Sequence, residues 1–78
     1  MCFKGEYLYG EINGKGEEYD AYGNVVFEGE YLNGKRNGKG KEYIYGKLIF
    51  EGEYLNGKRN GYGKEYENSR DIKFIMII

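Results

Sequence analysis

Two sets of residues in this chain have types and spacings that chemistry could use. The first is a pair of glutamates that occurs twice, Glu28 with Glu30 and Glu51 with Glu53. On a β-strand, residues i and i+2 point the same way, so each pair sets two carboxylates on one face, the raw material of general acid–base catalysis. Their recurrence at the same place in a repeated phrase reads instead as a solvated face. The rest of a catalytic inventory is missing: the chain has no His and no Thr, a single Ser69, and one cysteine, Cys2, beside the N-terminus. No nucleophile–base pair and no Cys/His zinc site can be assembled from these residues. Gly29 to Lys35 has the GxxxxGK spacing of a phosphate loop, but Arg36 stands where Ser or Thr must ligate magnesium, and no helix is expected to follow. The expectation is a protein that is not an enzyme, with no cofactor, no metal and no small-molecule substrate.

The second set is cationic: Lys35, Arg36, Lys39 and Lys41, echoed by Lys58, Arg59 and Lys64. If equivalent turns stack, these seven side chains gather near one edge of a sheet. There they would form an anionic-ligand surface, attracting phospholipid headgroups at about 1 kcal/mol per cation near the membrane. The competing reading is that charged turns keep a sheet edge soluble, with Glu42 and Glu65 neutralising part of the charge. Cations interleaved with tyrosine also suit single-stranded nucleic acid. Twelve Lys and Arg against thirteen Asp and Glu, a net charge of −1, argue against that partner. The balance is local as well as global: residues 3–26 carry two lysines against five acids, and residues 27–49 carry five cations against three.

These residues are positioned by a repeat. Phe27-Glu28-Gly29-Glu30-Tyr31-Leu32-Asn33-Gly34-Lys35-Arg36-Asn37-Gly38 returns residue for residue from Phe50 to Gly61, and Gly40-Lys41-Glu42-Tyr43 returns as Gly63-Lys64-Glu65-Tyr66. A looser copy runs from Phe3 to Tyr19, with Gly5, Gly10, Gly14 and Gly16 at the glycine positions. A period in the twenties marks stacked supersecondary units. The copies span about 3–26, 27–49 and 50–73, followed by a degenerate or capping tail at 71–78, all in one domain of 78 residues.

Within each copy the pattern has period two. Val25, Phe27, Gly29 and Tyr31 share one face and Val26, Glu28, Glu30 and Leu32 the other; Leu48, Phe50, Gly52 and Tyr54 oppose Ile49, Glu51, Glu53 and Leu55. Glycine at this density excludes a helix, since each would cost about 1 kcal/mol there. Asn33-Gly34 and Asn56-Gly57 are strong hairpin signals. With Asn37-Gly38 following, the spacing predicts a loop from Asn33 to Gly38 and strands near 3–9, 15–20, 24–32, 39–45, 48–55 and 62–67, with a seventh at 71–78. The fold class is all-β, a single-layer antiparallel meander of tandem hairpins. A glycine between aromatics leaves a gap in which a neighbouring ring lies against bare backbone. Phe3, Phe27 and Phe50, then Tyr7, Tyr31 and Tyr54, then Tyr19, Tyr43 and Tyr66 are therefore expected to form ladders. The repeat core is Phe3, Gly5, Tyr7, Phe27, Gly29, Tyr31, Tyr43, Phe50, Gly52, Tyr54 and Tyr66.

Phe27-x-Gly29-x-Tyr31-x-x-Gly34-x-x-x-Gly38-x-Gly40 resembles the MORN repeat (membrane occupation and recognition nexus), as do Phe50 to Gly63 and, more loosely, Phe3 to Gly16. Tyr stands where Trp is common, and copy 1 replaces the Asn-Gly-Lys-Arg turn by Tyr9-Gly10-Glu11-Ile12. The resemblance implies an elongated, twisted sheet with a grooved face used for interaction, with phospholipid binding for some members and scaffolding or self-association for others.

With 78 residues only a thin core is available. The first repeat begins within two residues of Met1, which leaves no room for a signal peptide and makes cytoplasmic residence the expectation, with peripheral placement at a membrane or the cytoskeleton consistent with the resemblance. The apolar run Phe74 to Ile78 is far short of a membrane span. It either adds a capping edge strand or pairs with another chain. Two functions follow from these readings: an interaction or scaffold module for a protein partner or a second copy, or a peripheral binder of anionic lipid through the Lys/Arg turns.

Overall fold

The computed structural model describes residues 2–67 and 71–77. Seven strands form one antiparallel sheet in chain order: β1 (Cys2–Leu8), β2 (Glu11–Tyr19), β3 (Val25–Leu32), β4 (Lys35–Ile44), β5 (Lys47–Leu55), β6 (Lys58–Glu67) and β7 (Asp71–Ile77). The body measures 38 × 29 × 13 Å, and the smallest dimension admits one sheet with its side chains but no second layer. The meander expected from the repeat is thus present, and of the two readings of the tail the edge strand is the one observed. Ile78 lies outside the described residues.

The strands are longer than the pattern suggests, because the expected loop from Asn33 to Gly38 is a two-residue turn. Asn33 and Asn56 sit at φ 51°, followed by Gly34 at 81° and Gly57 at 87°, the left-handed pair that a tight hairpin needs. Tyr9-Gly10 and Tyr45-Gly46 adopt the same turn with tyrosine at the first position.

Asn37-Gly38, read as part of the loop, has a different job. Gly38, at φ 101°, lies in a bulge of β4, and the Lys39 N–H beside it donates to Glu30 Oε1 at 2.8 Å. The Lys15 N–H donates in the same way to Glu6, and the Tyr62 N–H to Glu53. A backbone donor that the bulge takes out of the ladder is satisfied by the glutamate across the strand pair. Asn37 instead reaches the neighbouring hairpin: its Oδ1 accepts from the Asn56 N–H, as Asn13 Oδ1 accepts from Asn33 N–H, while Gly57 N–H and Gly34 N–H donate to the Arg36 and Ile12 carbonyls. Successive turns are therefore stitched together.

Gly5, Gly16, Gly29, Gly40, Gly52 and Gly63 stand directly opposite one another across six strands. A Cβ on Gly29 would fall 2.5 Å from the Lys39 carbonyl oxygen and 2.6 Å from Gly40 Cα. One on Gly40 would collide with the Phe27 ring, and one on Gly63 with the Phe50 ring. The rings do lie on bare backbone, but the expected separate ladders are one zigzag. Phe3, Tyr31, Phe27, Tyr54 and Phe50 meet edge-to-face in that order, with centroids 6.4, 5.5, 5.1 and 5.9 Å apart. Phenylalanine leans over the following strand and tyrosine over the preceding one, so each ring meets the other type. Phe27, Tyr31, Phe50 and Tyr54 are buried with Ile12. Ile49, expected on the far face, packs against this cluster, because the bulge at Ile49 interrupts the alternation.

Gly29→Val and Gly52→Val should each abolish cooperative unfolding, since the added methyls have backbone for neighbours and nowhere to go. Circular dichroism melts check this, and a parent-like melt for both variants would contradict it.

Candidate functional site

The seven cations do not gather at one edge. Arg36 and Arg59 lie on the ring-bearing face, where the Arg36 guanidinium carbon is 4.1 Å from the Phe27 ring centre and the Arg59 carbon is 3.8 Å from that of Phe50. Arg36 donates to both oxygens of Glu18, Nε at 2.8 Å and Nη2 at 3.0 Å, and the Tyr31 hydroxyl donates to the same carboxylate at 2.6 Å. One hairpin on, Arg59 Nε and Nη2 and the Tyr54 hydroxyl donate to Glu42, and Arg59 Nη1 reaches Glu65 at 3.3 Å. Glu18 of β2 and Glu42 of β4 thus each hold a tyrosine and an arginine from the next hairpin. Bidentate geometry over an aromatic face explains why the position is arginine. Burial opposes ionisation of Glu42, yet hydrogen bonds from Arg59 and Tyr54 and the charges of Arg59 and Arg36 outweigh it and hold the carboxyl below its usual range. Burial and the bond to Glu42 push the Tyr54 hydroxyl well up. Copy 1 has Ile12 at the arginine position, where no strand of the sheet precedes β1 to offer a carboxylate.

The remaining lysines occupy the other face. Register sets Lys4, Glu17, Glu28, Lys41, Glu51 and Lys64 in one rank across β1 to β6. On the far side of the glycine line, Lys15 opposes Glu30 and Lys39 opposes Glu53. Between these two rails runs an open groove of about 940 Å³ whose floor is the glycine backbone. The Cβ positions of these glycines face the rings, so on this side the main chain between the two rails is uncovered.

The glutamate pairs are more than a solvated face. Glu28 accepts the Tyr43 hydroxyl and Glu51 that of Tyr66, while Glu30 and Glu53 hold the bulge amides. Tyr43 and Tyr66 therefore line the groove side and stand apart from the ring zigzag in which they were expected. Each of these carboxylates already has an internal donor. The lysines do not: among the described residues every ion pair within 4 Å belongs to Arg36 or Arg59. Neither glutamate pair has a nucleophile or base beside it, and no cluster of described residues could hold a metal.

Lys35 and Lys58 lie elsewhere again, at the hairpin tips. Each stands opposite a leucine, Leu32 and Leu55, that is half exposed.

A MORN-repeat family model matches three times, over residues 3–25, 27–47 and 50–68, together covering most of the chain. The chain belongs to the MORN-repeat family. A search of curated proteins finds no match. The three matched segments coincide with the hairpins β1–β2, β3–β4 and β5–β6, and the glycines of the repeat pattern fall on the groove floor, in the hairpin turns and in the bulges.

The signals for the two arginine clamps were in the sequence as Glu18, Glu42 and the Arg36/Arg59 pair, but a partner 18 or 17 residues away cannot be read without the register. Replacing Glu42 by Ala takes the acceptor from the Tyr54 hydroxyl and leaves Arg59 with Glu65 alone, and should cost about 1.5–3 kcal/mol, measured by urea denaturation; a loss below about 1 kcal/mol would mean the clamp is solvent-screened. Because the folded-state carboxyl of Glu42 is depressed, its contribution is present above the ordinary carboxylate range and disappears as pH falls through the lowered value. Acid titration of the melting temperature should show that loss in the parent and not in Glu42→Gln. At the alkaline end, the hydrogen bond to Glu51 and burial raise Tyr66 to about 12, and burial and the bond to Glu28 do the same for Tyr43. The unfolded chain releases these protons near 10, so stability should fall from about pH 10 to about pH 12. Tyr43→Phe with Tyr66→Phe should make that limb shallower, the remaining slope belonging to Tyr31 and Tyr54, whose hydroxyls are raised further.

Proposed function

We propose that this MORN-repeat chain is a non-enzymatic interaction module that seats a protein segment along the glycine-floored groove. The observation that carries the reading is the pair of mixed-charge rails with unpaired lysines. Three lysines and three glutamates in one rank, and two of each in the other, leave no cationic excess to select a purely anionic partner. Such rails suit a polypeptide that carries both signs. With strands about 4.8 Å apart, the charges meet the occupant at intervals of roughly 5–10 Å along the groove. The glycine floor adds close approach and exposed backbone edges without steric selection, so the rails set specificity and the floor sets fit.

A second reading rests on Leu32 with Lys35 and Leu55 with Lys58. An exposed apolar residue beside a cation at successive hairpin tips suits the interface of an anionic membrane. Arg36 and Arg59 are absent from that surface, which reduces the cationic turn set to two lysines.

One experiment addresses both. A displayed random-peptide library selected on the immobilised chain should enrich peptides bearing both acidic and basic residues, whose binding is lost in Lys15→Glu/Lys39→Glu/Lys41→Glu and kept in Lys35→Glu/Lys58→Glu. Enriched peptides indifferent to the groove variant overturn the first reading. Co-sedimentation with phosphatidylcholine vesicles, with and without phosphatidylserine, tests the second: serine-dependent binding abolished only by Lys35→Glu/Lys58→Glu would support it, and no binding would end it.

A further inference from the structure

The β1 edge is built as an interior edge. In the interior of the sheet each odd strand receives a neighbour on both sides. The tyrosine of β3 lies over Gly16 of the preceding strand and donates to Glu18, two residues further along that strand. The tyrosine of β5 lies over Gly40 and donates to Glu42. Phe27 and Tyr31 are consequently 0% and 4% exposed. On β1 the same residues are present without the neighbour: Phe3 is 47% exposed and Tyr7 56%, and the Tyr7 hydroxyl makes only a long contact, 3.4 Å, to the Phe3 carbonyl of its own strand. Gly5 continues the glycine row to this edge. No proline, inward charge or covering loop among the described residues blocks it.

Building on the interaction-module reading, we infer that β1 is an acceptor edge for an added antiparallel strand carrying a Gly-x-Glu sequence. The glycine would stand opposite Gly5 and receive the Tyr7 ring; the glutamate would stand opposite Phe3 and accept the Tyr7 hydroxyl. Each returning strand of the chain has that sequence at that register: Gly16-Glu17-Glu18, Gly40-Lys41-Glu42 and Gly63-Lys64-Glu65. Main-chain hydrogen bonds supply the general affinity of strand addition, and the alternating side chains supply its selectivity. A second intact copy cannot be the donor, because β2, β4 and β6 are each flanked on both sides. The occupant is therefore an extended Gly-x-Glu segment from outside these 78 residues. Ile12 stands at the clamp-arginine position of β2, so no guanidinium shares the incoming carboxylate and Tyr7 is the hydroxyl on which recognition turns.

The test uses a labelled synthetic peptide with the sequence of residues 36–45, titrated with the full chain and followed by fluorescence anisotropy. Saturable binding is expected. It should weaken about tenfold when the peptide carries Gln at its glutamate position, and be lost when valine replaces the glycine that opposes Gly5. In the chain, Tyr7→Phe should weaken the parent peptide by a similar factor but leave the glutamine peptide unaffected, with an unchanged melting temperature showing that the sheet is intact. The groove variant Lys15→Glu/Lys39→Glu/Lys41→Glu should bind the peptide as the parent does. Absence of binding, or binding indifferent to Tyr7→Phe, overturns the edge inference while leaving the groove reading untouched. Peptide binding lost only in the groove variant overturns the edge and favours the groove.

Discussion

Everything in this sheet depends on aromatic rings lying against glycine backbone. Six glycines opposite one another across six strands leave a strip with no side chains, and the phenylalanine and tyrosine rings close over it from one side. The energetic reason is that a single layer cannot bury side chains between two sheets, so it must bury them against its own main chain. Four edge-to-face contacts, each contributing about 0.5–1.5 kcal/mol beyond area burial, connect rings from successive hairpins into one chain of contacts. A β-carbon in the strip breaks that contact from both directions.

The arginine clamps then turn a row of hairpins into an array. Glu18 and Glu42 each gather a tyrosine hydroxyl and a guanidinium from the next hairpin, and the guanidinium lies on a phenylalanine ring. The carboxylate contacts to Glu18 and Glu42 therefore act between units, while the guanidinium–phenylalanine stacking acts within one. Stability of such an array is a sum of unit and interface contributions. The end units lack one interface each, which is visible in the exposure of Phe3 and Tyr7 beside the burial of Phe27 and Tyr31.

The two faces follow from this division. Cations used for stacking are held on the ring face, and the lysines of the two rails stand on the opposite face among carboxylates that already serve the backbone and the tyrosines. The missing side chains of the glycines admit the rings on one side; on the other, the groove is the gap between the two ranks of charged residues that flank the glycine line.

The repeat, the period-two pattern and the Asn-Gly turns were enough to establish an antiparallel meander of three copies and the ring-on-glycine core, because those properties depend on residues close together in sequence. What could not be seen was which face each cation occupies. Arg36 and Lys35 are adjacent in the chain but part company in space, since neighbouring residues of a strand point to opposite sides and the bulge at Gly38 shifts the count for everything beyond it. The role of Asn37 was hidden for the same reason, as its acceptor serves a turn 19 residues away. Local composition determined the strands and the bare strip they share. Only the register between hairpins, set by bulges whose displaced amides need Glu6, Glu30 and Glu53, decided which charges are clamped over rings and which remain to meet a partner.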